Sequence, residues 1–217
     1  MTEHLHPASD TEPIGGRWTR SAPVALDDLP FLYGLLVDPS VGTTMRYQGA
    51  TPSFEEFARH AWDGVLGQWT VRARSSGNPL GVAVVASPDF RNGYAFLSVI
   101  ARPSVVGSGL MMDGVAGVLE HVFACWPFRR LYMESADDSY RRFASGLGRF
   151  FIEEGCRKEQ LFAGNRYQDV HLLTITRELW EMEGAPEWRR LRARGQNADT
   201  GATTLTAVAG ERAIMEA

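Results

Sequence analysis

Several large protein classes are closed to this chain by what it lacks. It has only two cysteines, Cys125 and Cys156, far apart and in no C-x-x-C arrangement. Neither a disulfide framework nor a cysteine zinc site is indicated, and two buried thiols in a reducing compartment are expected. No apolar run approaches the roughly 20 residues that a bilayer-crossing helix needs; the longest are Leu80 to Ala86 and Phe96 to Ala101. Met1 to Gly16 is polar, carries Asp10 and Glu12 and has no apolar h-region, so no secretory signal is read there and a cytoplasmic location is expected. Positive charge is not in excess either. The formal net charge is −4, which gives no general attraction to phosphate backbones or anionic membranes.

What is present is enough for a core. Of 217 residues, 44% are hydrophobic and 11% aromatic, which fits one domain with something left over. Residues 1–16 read as a flexible arm, because Pro7, Pro13, Gly15 and Gly16 disfavour regular structure, and His4 and His6 read as solvated. A short strand is expected within 17–24. A helix capped by Asp27 or Asp28 follows, carrying Leu29, Phe31, Leu32, Leu35 and Leu36 up to the Asp38-Pro39 stop. Met45, Arg46 and Tyr47 lie in the next loop, an apolar and cationic cluster suited to touching a ligand. Ser53 with Glu56 is a capping-box signature for a second helix whose apolar face runs from Phe54 to Trp62 and Val65.

From Gln68 the apolar period changes from that of a helix to that of strands. Trp69 to Arg74, Leu80 to Ala86 and Tyr94 to Ala101 read as a three-stranded antiparallel meander. Met111, Val115, Val118, Leu119 and Val122 then recur at helical spacing over about 108–124, with His121 expected on the outer face. A strand over 130–135, a short helix over 138–147, a strand over 151–162 interrupted by Gly155, and a strand over 170–176 complete the pattern, with Gly164-Asn165 as a hairpin turn. The order is β-α-α-β-β-β-α-β-α-β-β, an α+β domain with a mixed sheet over 17–182. Residues 183–217 read as a short helix near 186–194 and a loose tail, with Arg189, Arg190, Arg192 and Arg194 as a solvated face.

The chemistry concentrates where the strand ending in Ala101 enters the turn Arg102 to Gly109 and then the long helix. Gly107 and Gly109 let the main chain approach a bound group, and the amides and dipole of a helix start favour anionic oxygens, a diphosphate above all. No Lys follows as in a P-loop, and the strand belongs to a meander rather than a βαβ unit, so a dinucleotide fold is disfavoured.

Over about 18–182 the chain resembles the GNAT acyltransferase superfamily, most closely its RimJ/RimL-type branch. The residues that carry the resemblance are Leu26-Asp27-Asp28-Leu29-Pro30-Phe31-Leu32-Tyr33 with Asp38-Pro39, Ser53-Phe54-Glu55-Glu56-Phe57, Gly81, and the Gly107-Ser108-Gly109 turn. Glu153-Glu154-Gly155-Cys156-Arg157-Lys158-Glu159 and Gly164-Asn165-Arg166-Tyr167-Gln168-Asp169-Val170 complete the set.

The resemblance implies the GNAT fold with a splayed central sheet, and transfer of an acyl group from acetyl-CoA or another acyl-CoA to a small-molecule amine, with no metal. It also implies that Val99, Ile100 and Ala101 line the pantetheine arm, while Val105, Val106, Gly107, Ser108, Gly109 and Leu110 cradle the pyrophosphate. Ser139 and Tyr140 become the catalytic hydroxyls for the leaving thiolate. Arg46, Tyr47 and Phe96, with Met45 and Trp62, are the candidate acceptor wall.

Three departures from the family pattern stand out. Ser104 occupies the usual Gln or Arg position of the turn, with Arg102 as a substitute; Phe96 replaces the frequent strand glutamate; and Ala136-Asp137-Asp138-Ser139-Tyr140 has no Asn. Glu134, Asp137 and Asp138 are the remaining carboxylates for base work through water. The losses motivate two alternatives: a carrier-protein or aminoacyl-tRNA donor, and a non-catalytic acyl-CoA-binding module. No membrane partner is expected, and a homodimer is left open.

Overall fold

A computed structural model describes residues 14–42, 45–143 and 146–193 of the chain. His4, His6, Arg194 and the remainder of the C-terminal segment lie outside the described residues. The strands are β1 (Thr19–Pro23), β2 (Val65–Ala73), β3 (Pro79–Asp89), β4 (Tyr94–Ala101), β5 (Arg130–Ala136), β6 (Ile152–Ala163) and β7 (Arg166–Thr176). The helices are α1 (Leu29–Val37), α2 (Phe54–His60), α3 (Leu110–Cys125), α4 (Asp137–Phe143) and α5 (Arg177–Leu179); the last runs into a π-helical turn, Trp180–Gly184, and helical residues over 185–193. The strands form one mixed sheet in the order β1-β2-β3-β4-β5-β7-β6. All neighbours are antiparallel except β4 and β5, which are parallel. This is the expected α+β order.

Alternation along the strands divides the apolar residues between two faces. On one face Trp69, Val71, Ala83, Val85, Ala95, Leu97, Leu131, Leu173 and Ile175 pack beneath Met111, Val115, Val118, Leu119 and Val122 of α3. On the other, Val82 and Ile100 pack beneath Leu29, Leu32, Leu35 and Leu36 of α1 and Phe57 of α2. Strand β3 serves both layers, which is why Leu80 to Ala86 reads as a continuous apolar run: Val82, Ala83 and Val85 are all fully buried. Glycine is required where α3 presses on the sheet, since a Cβ at Gly81 would collide with the Ile100 carbonyl and the Met111 side chain, and one at Gly114 with Val71.

Two polar clamps close this layer. The buried Asp113 carboxylate accepts the amides of Arg17 (2.9 Å), Trp18 (2.9 Å) and Thr19 (3.0 Å) and the Thr19 hydroxyl (2.8 Å), so the chain entering β1 is bound to the first turn of α3. At the other end of α3, the Arg177 guanidinium donates to the carbonyls of Phe123 (2.7 Å), Trp126 (2.7 Å) and Phe128 (2.9 Å). Those carbonyls lie at and beyond the end of α3, where helix geometry leaves acceptors without partners.

The structure corrects several expectations. Helix α2 ends at His60 because Gly64 turns the chain through φ +71°, so Val65 begins β2 and Trp62, 50% exposed, is not on a helical core face. Ser53 does cap α2, accepting the Glu56 amide at 3.2 Å, while the Glu56 side chain pairs with Arg59 and His60 instead of returning to the cap. Helix α4 starts at Asp137, directly after β5, and β7 starts at Arg166, ahead of the expected 170.

Neither cysteine is fully buried; Cys125 is exposed and Cys156 intermediate. His121 does not face outward but sits edge-on between Trp69 and Trp126, where burial pushes its pKa down. Gly15 and Gly16 are buried, not part of a loose arm. Packing also continues past 182, because Trp180, Ala185 and Trp188 belong to the α3 core and Glu120 holds both Trp180 and Arg189. Arg189 and Arg190 are exposed, as expected of a solvated face, whereas Arg192 is half-buried with its guanidinium 5.5 Å from the Trp188 ring centre. No helix among the described residues is long and apolar enough to cross a membrane.

Candidate active site

The sheet is joined at its centre by a very short parallel ladder. Strands β4 and β5 pair only through Tyr94↔Arg130, Ala95↔Leu131 and Phe96↔Tyr132. Beyond Phe96, β4 stays with β3 as far as Ala101 while β5 stays with β7 as far as Ala136, and no pair joins the two. A fork opens in the middle of the sheet. Its inner edges carry peptide groups with no strand partner across the gap, and such edges readily accept an extended ligand arm. Val99 and Ala101 pack toward α3, whereas Ile100 is buried beneath α1 and α2, so Ile100 can offer only its backbone to the fork.

The turn at the open end of β4 is built for backbone presentation. A 3₁₀ turn, Pro103–Val105, is followed by Ser108, whose amide donates to Val105 O at 3.1 Å and whose hydroxyl donates to the same carbonyl at 2.7 Å. Gly107 and Gly109 have φ of +84° and +78°, and Gly109 is the N-cap of α3. A Cβ at either would meet nothing within 4 Å. Glycine is therefore required here by backbone conformation, and the space in front of the turn is open. The first-turn amides of α3 have no intrahelical acceptor and carry the positive end of its dipole. Arg102 does not reach over the turn; its guanidinium lies 5.0 Å from the centre of the Phe31 ring.

Helix α4, on the β5 side, brings together residues that the sequence did not connect. Ser139 is the third residue of α4, so it is not the helix cap, and it is half-buried. Tyr140 donates its hydroxyl to Glu153 Oε2 at 2.6 Å and stacks flat on the His171 ring, with 3.7 Å between centroids and 1° between planes. His171 is held from both sides, by Glu153 Oε1 at 2.8 Å from Nδ1 and by Asp137 Oδ1 at 3.0 Å from Nε2. Burial alone would push the His171 pKa down, but the hydrogen bonds and charges of these two carboxylates outweigh it and raise the pKa. The hydrogen bond to Glu153 raises the Tyr140 pKa and, together with that from His171, lowers that of Glu153.

The carboxylates considered for base work are all engaged. Glu134 pairs with Arg157, Asp137 with His171, and Asp138 with Arg166. In the second motif block, Asp169 accepts the Glu159 amide at 3.0 Å and the Lys158 ammonium at 2.6 Å, pinning the irregular stretch of β6 between Arg157 and Leu161. Gly164 and Asn165, with φ of +61° and +60°, make the expected hairpin turn.

Of the candidate acceptor residues, Arg46 lies with its guanidinium 5.9 Å from the Tyr47 ring centre, while Phe96 makes its ring contacts with other residues. Tyr47 and Met45 pack on the core under α1 and α2, and Arg46 donates to the His60 carbonyl at 3.0 Å. Phe96 instead meets Tyr94 and Tyr132, with ring centroids 6.2 and 5.7 Å away, and those two tyrosines are 5.4 Å apart. His171, Tyr94 and Tyr132 were missed because only the pairing register sets His171 opposite Ser135 and Cys156, and Phe96 opposite Tyr132. Among the described residues, no group of three or more His, Cys, Asp or Glu is arranged to hold a metal ion.

No protein-family model and no curated sequence matches the chain. Solved structures do. The spermidine N-acetyltransferase from Vibrio cholerae, in complex with CoA and spermine, superposes with a TM-score of 0.65 at 20% identity, over 76% of this chain and 98% of that one. A chimera of the V. cholerae enzyme and hSSAT gives 0.63 at 20% identity, over 76% and 99%. The V. cholerae enzyme with manganese ions gives 0.61 at 21% identity, over 76% and 98%. With its mixed sheet forked between β4 and β5 and a glycine turn leading into α3, the chain has the GNAT fold.

Proposed function

We propose that this protein is an N-acyltransferase that moves an acetyl or other short acyl group from a CoA thioester to the amine of a small molecule. The observation that carries this reading is the fork, because its unpaired β4 edge leads directly into a turn with two left-handed glycines at the start of a sixteen-residue helix. The pantetheine arm would pair with the backbone of Val99, Ile100 and Ala101. The pyrophosphate would sit against the turn from Val105 to Leu110 with the Gly107 and Gly109 amides foremost, because the amides of Val105, Val106 and Ser108 donate to carbonyls within the turn and that of Leu110 to the Ser108 hydroxyl, and the α3 dipole favours negative charge there. With Ser104 in the turn and Arg102 over Phe31, the phosphates are held by amides rather than by a side-chain cation. The V. cholerae spermidine N-acetyltransferase of the same fold is in complex with CoA and spermine, which supports a CoA donor and an amine acceptor.

In this reading the neutral amine nitrogen attacks the thioester carbonyl carbon. A C–N bond forms, the C–S bond breaks, the thiolate takes a proton from Tyr140, and the proton lost by the nitrogen passes through water to restore the Tyr140 hydroxyl. Holding the two reactants in line is the main contribution of the protein. Tyr140 supplies the proton to sulfur when its O–H swings from Glu153, a rotation about a single C–O bond, and Ser139 offers a second hydroxyl one residue away. Arg46 and Tyr47 border the acceptor side from the α1–α2 connection, and Phe96 lies at the apex of the fork. The hairpin and its Asp169 clamp favour the RimJ/RimL-type branch.

Calorimetric titration with acetyl-CoA, followed by thiol release over a panel of amines, tests the proposal. Micromolar binding and amine-dependent release are expected, and no binding at millimolar acetyl-CoA would overturn it. Release only from an acylated carrier protein or an aminoacyl-tRNA would transfer the activity to a macromolecular donor.

A further inference from the structure

The apex of the fork carries an aromatic ledge that the fold does not need. Ala95, Leu97 and Leu131 point into the α3 core, so by alternation Phe96 and Tyr132 point to the opposite face, with Tyr94 and Glu134 two residues away on the same side. Helices α1 and α2 cover Val82 and Ile100 on that face but stop short of Phe96. Phe96 is thus 38% exposed although it belongs to a central strand with partners on both sides. Its ring, with those of Tyr94 and Tyr132, forms a triangle of mutual edge and tilted contacts. Large apolar rings left open at the centre of a sheet and rimmed by polar groups are a mark of a binding surface.

The charges around the ledge restrict what it can hold. Glu134 is paired with Arg157, and Glu154 is paired with Arg130, whose guanidinium also lies 5.9 Å from the Tyr132 ring centre. Glu134 and Glu154 are each matched by an arginine, whereas Asp89, beside Tyr94, is held by the neutral Asn92 side chain, so the ledge offers one uncompensated carboxylate, enough for one ammonium and not for a chain of them. A single ammonium is served by the ring faces and by the Asp89 carboxylate beside Tyr94, while a flat apolar body stacks on the rings.

We infer that the acceptor is a monoamine with an aromatic or flat apolar body, seated on Phe96, Tyr132 and Tyr94, and not a polyamine. This rests on the N-acyltransferase reading for its role but not for its measurement. The experiment titrates the full chain, with no donor present, with 2-phenylethylamine, spermidine and ethylamine, and repeats each titration with Phe96→Ala and Phe96→Leu after thermal melts establish that both variants fold.

Phenylethylamine should bind at least about tenfold more tightly than spermidine or ethylamine, the size of one good ring contact, and both variants should lose about that factor for phenylethylamine alone. Spermidine binding as tightly as phenylethylamine, or phenylethylamine binding that is unchanged in Phe96→Leu, would overturn the inference. Failure of acetyl-CoA to bind is a separate result; it removes the transferase reading and leaves the ledge measurement to stand or fall alone.

Discussion

Tyr140 lies flat on His171, ring centroids 3.7 Å apart, and both side chains hydrogen-bond the same carboxylate, Glu153. The arrangement fastens α4 to β6 and β7 through a charge that depends on pH. Asp137 and Glu153 face the imidazole ring, Cys156 is its register neighbour on β6, and Lys158 adds a weaker charge near Glu153. Because the folded pKa of His171 is raised, its protonated form stabilises the fold. That contribution is complete below the unfolded value of about 6.5 and is lost as pH rises through the folded value. Glu153 is lowered, so its contribution is present above its unfolded value and is lost only as pH falls through the folded one. The melting temperature of wild type should therefore exceed that of His171→Gln most between about pH 5 and pH 6.5, with the gap closing toward pH 8.5. A gap that does not change with pH would mean that His171 is neutral in the fold.

A second prediction concerns the Asp113 clamp. Its carboxylate satisfies three amides and a hydroxyl, and Thr19 is fully buried, so removing the acceptor leaves donors in a dry interior. Orphaned buried donors cost about 1–3 kcal/mol each. Asp113→Ala should lower unfolding stability by about 3 kcal/mol in urea titration, with Asp113→Asn intermediate because one oxygen remains. A loss below about 0.5 kcal/mol would show that the segment entering β1 is held by other contacts.

These two clusters mark how far the sequence was legible. Period and turn chemistry sufficed for β4, for the α3 core face and for the Gly164-Asn165 hairpin, because each depends on neighbours a few residues apart. The same local logic failed at Trp62, where the left-handed Gly64 ends the helical turns early, and at residue 182, because Trp188 is buried by α3 far back in the chain. At the candidate site, the glycine turn and the place of Tyr140 on a short helix after β5 were readable from motif and position. The carboxylates around His171 and the rings around Phe96 were not, since they meet only through register across β4, β5, β7 and β6.

The glycine turn separates conformational from ligand effects. At Gly107 a Cβ meets nothing, so Gly107→Ala suffers only left-handed strain of about 1 kcal/mol and should melt slightly lower while retaining acetyl-CoA binding. Gly107→Glu adds the same strain together with a carboxylate in front of the amides. Its acetyl-CoA affinity should fall at least about a hundredfold, through charge repulsion where the phosphates sit. Equal affinities for the two variants would place the phosphates elsewhere.

The two hydroxyls of α4 can be told apart by kinetics. Tyr140 is held protonated by Glu153, which raises its pKa, so at neutral pH it always has a proton to give. If that proton goes to the leaving sulfur, Tyr140→Phe should lower kcat by about a hundredfold, the lower end of general acid catalysis, with little change in acetyl-CoA affinity. Ser139 has no such poise and contributes at most an ordinary hydrogen bond. Ser139→Ala should therefore lower kcat by about fivefold, equivalent to about 1 kcal/mol. Glu153→Gln supplies the control. It keeps a hydrogen-bond acceptor for Tyr140 but removes the charge, so kcat should stay close to wild type at neutral pH while the alkaline limb of the pH profile moves to lower pH, because the phenol ionises more easily without the neighbouring carboxylate. A Tyr140→Phe variant with wild-type kcat would assign the hydroxyl a purely structural part in fastening α4, and would leave alignment of donor and acceptor across the fork as the whole of the catalysis.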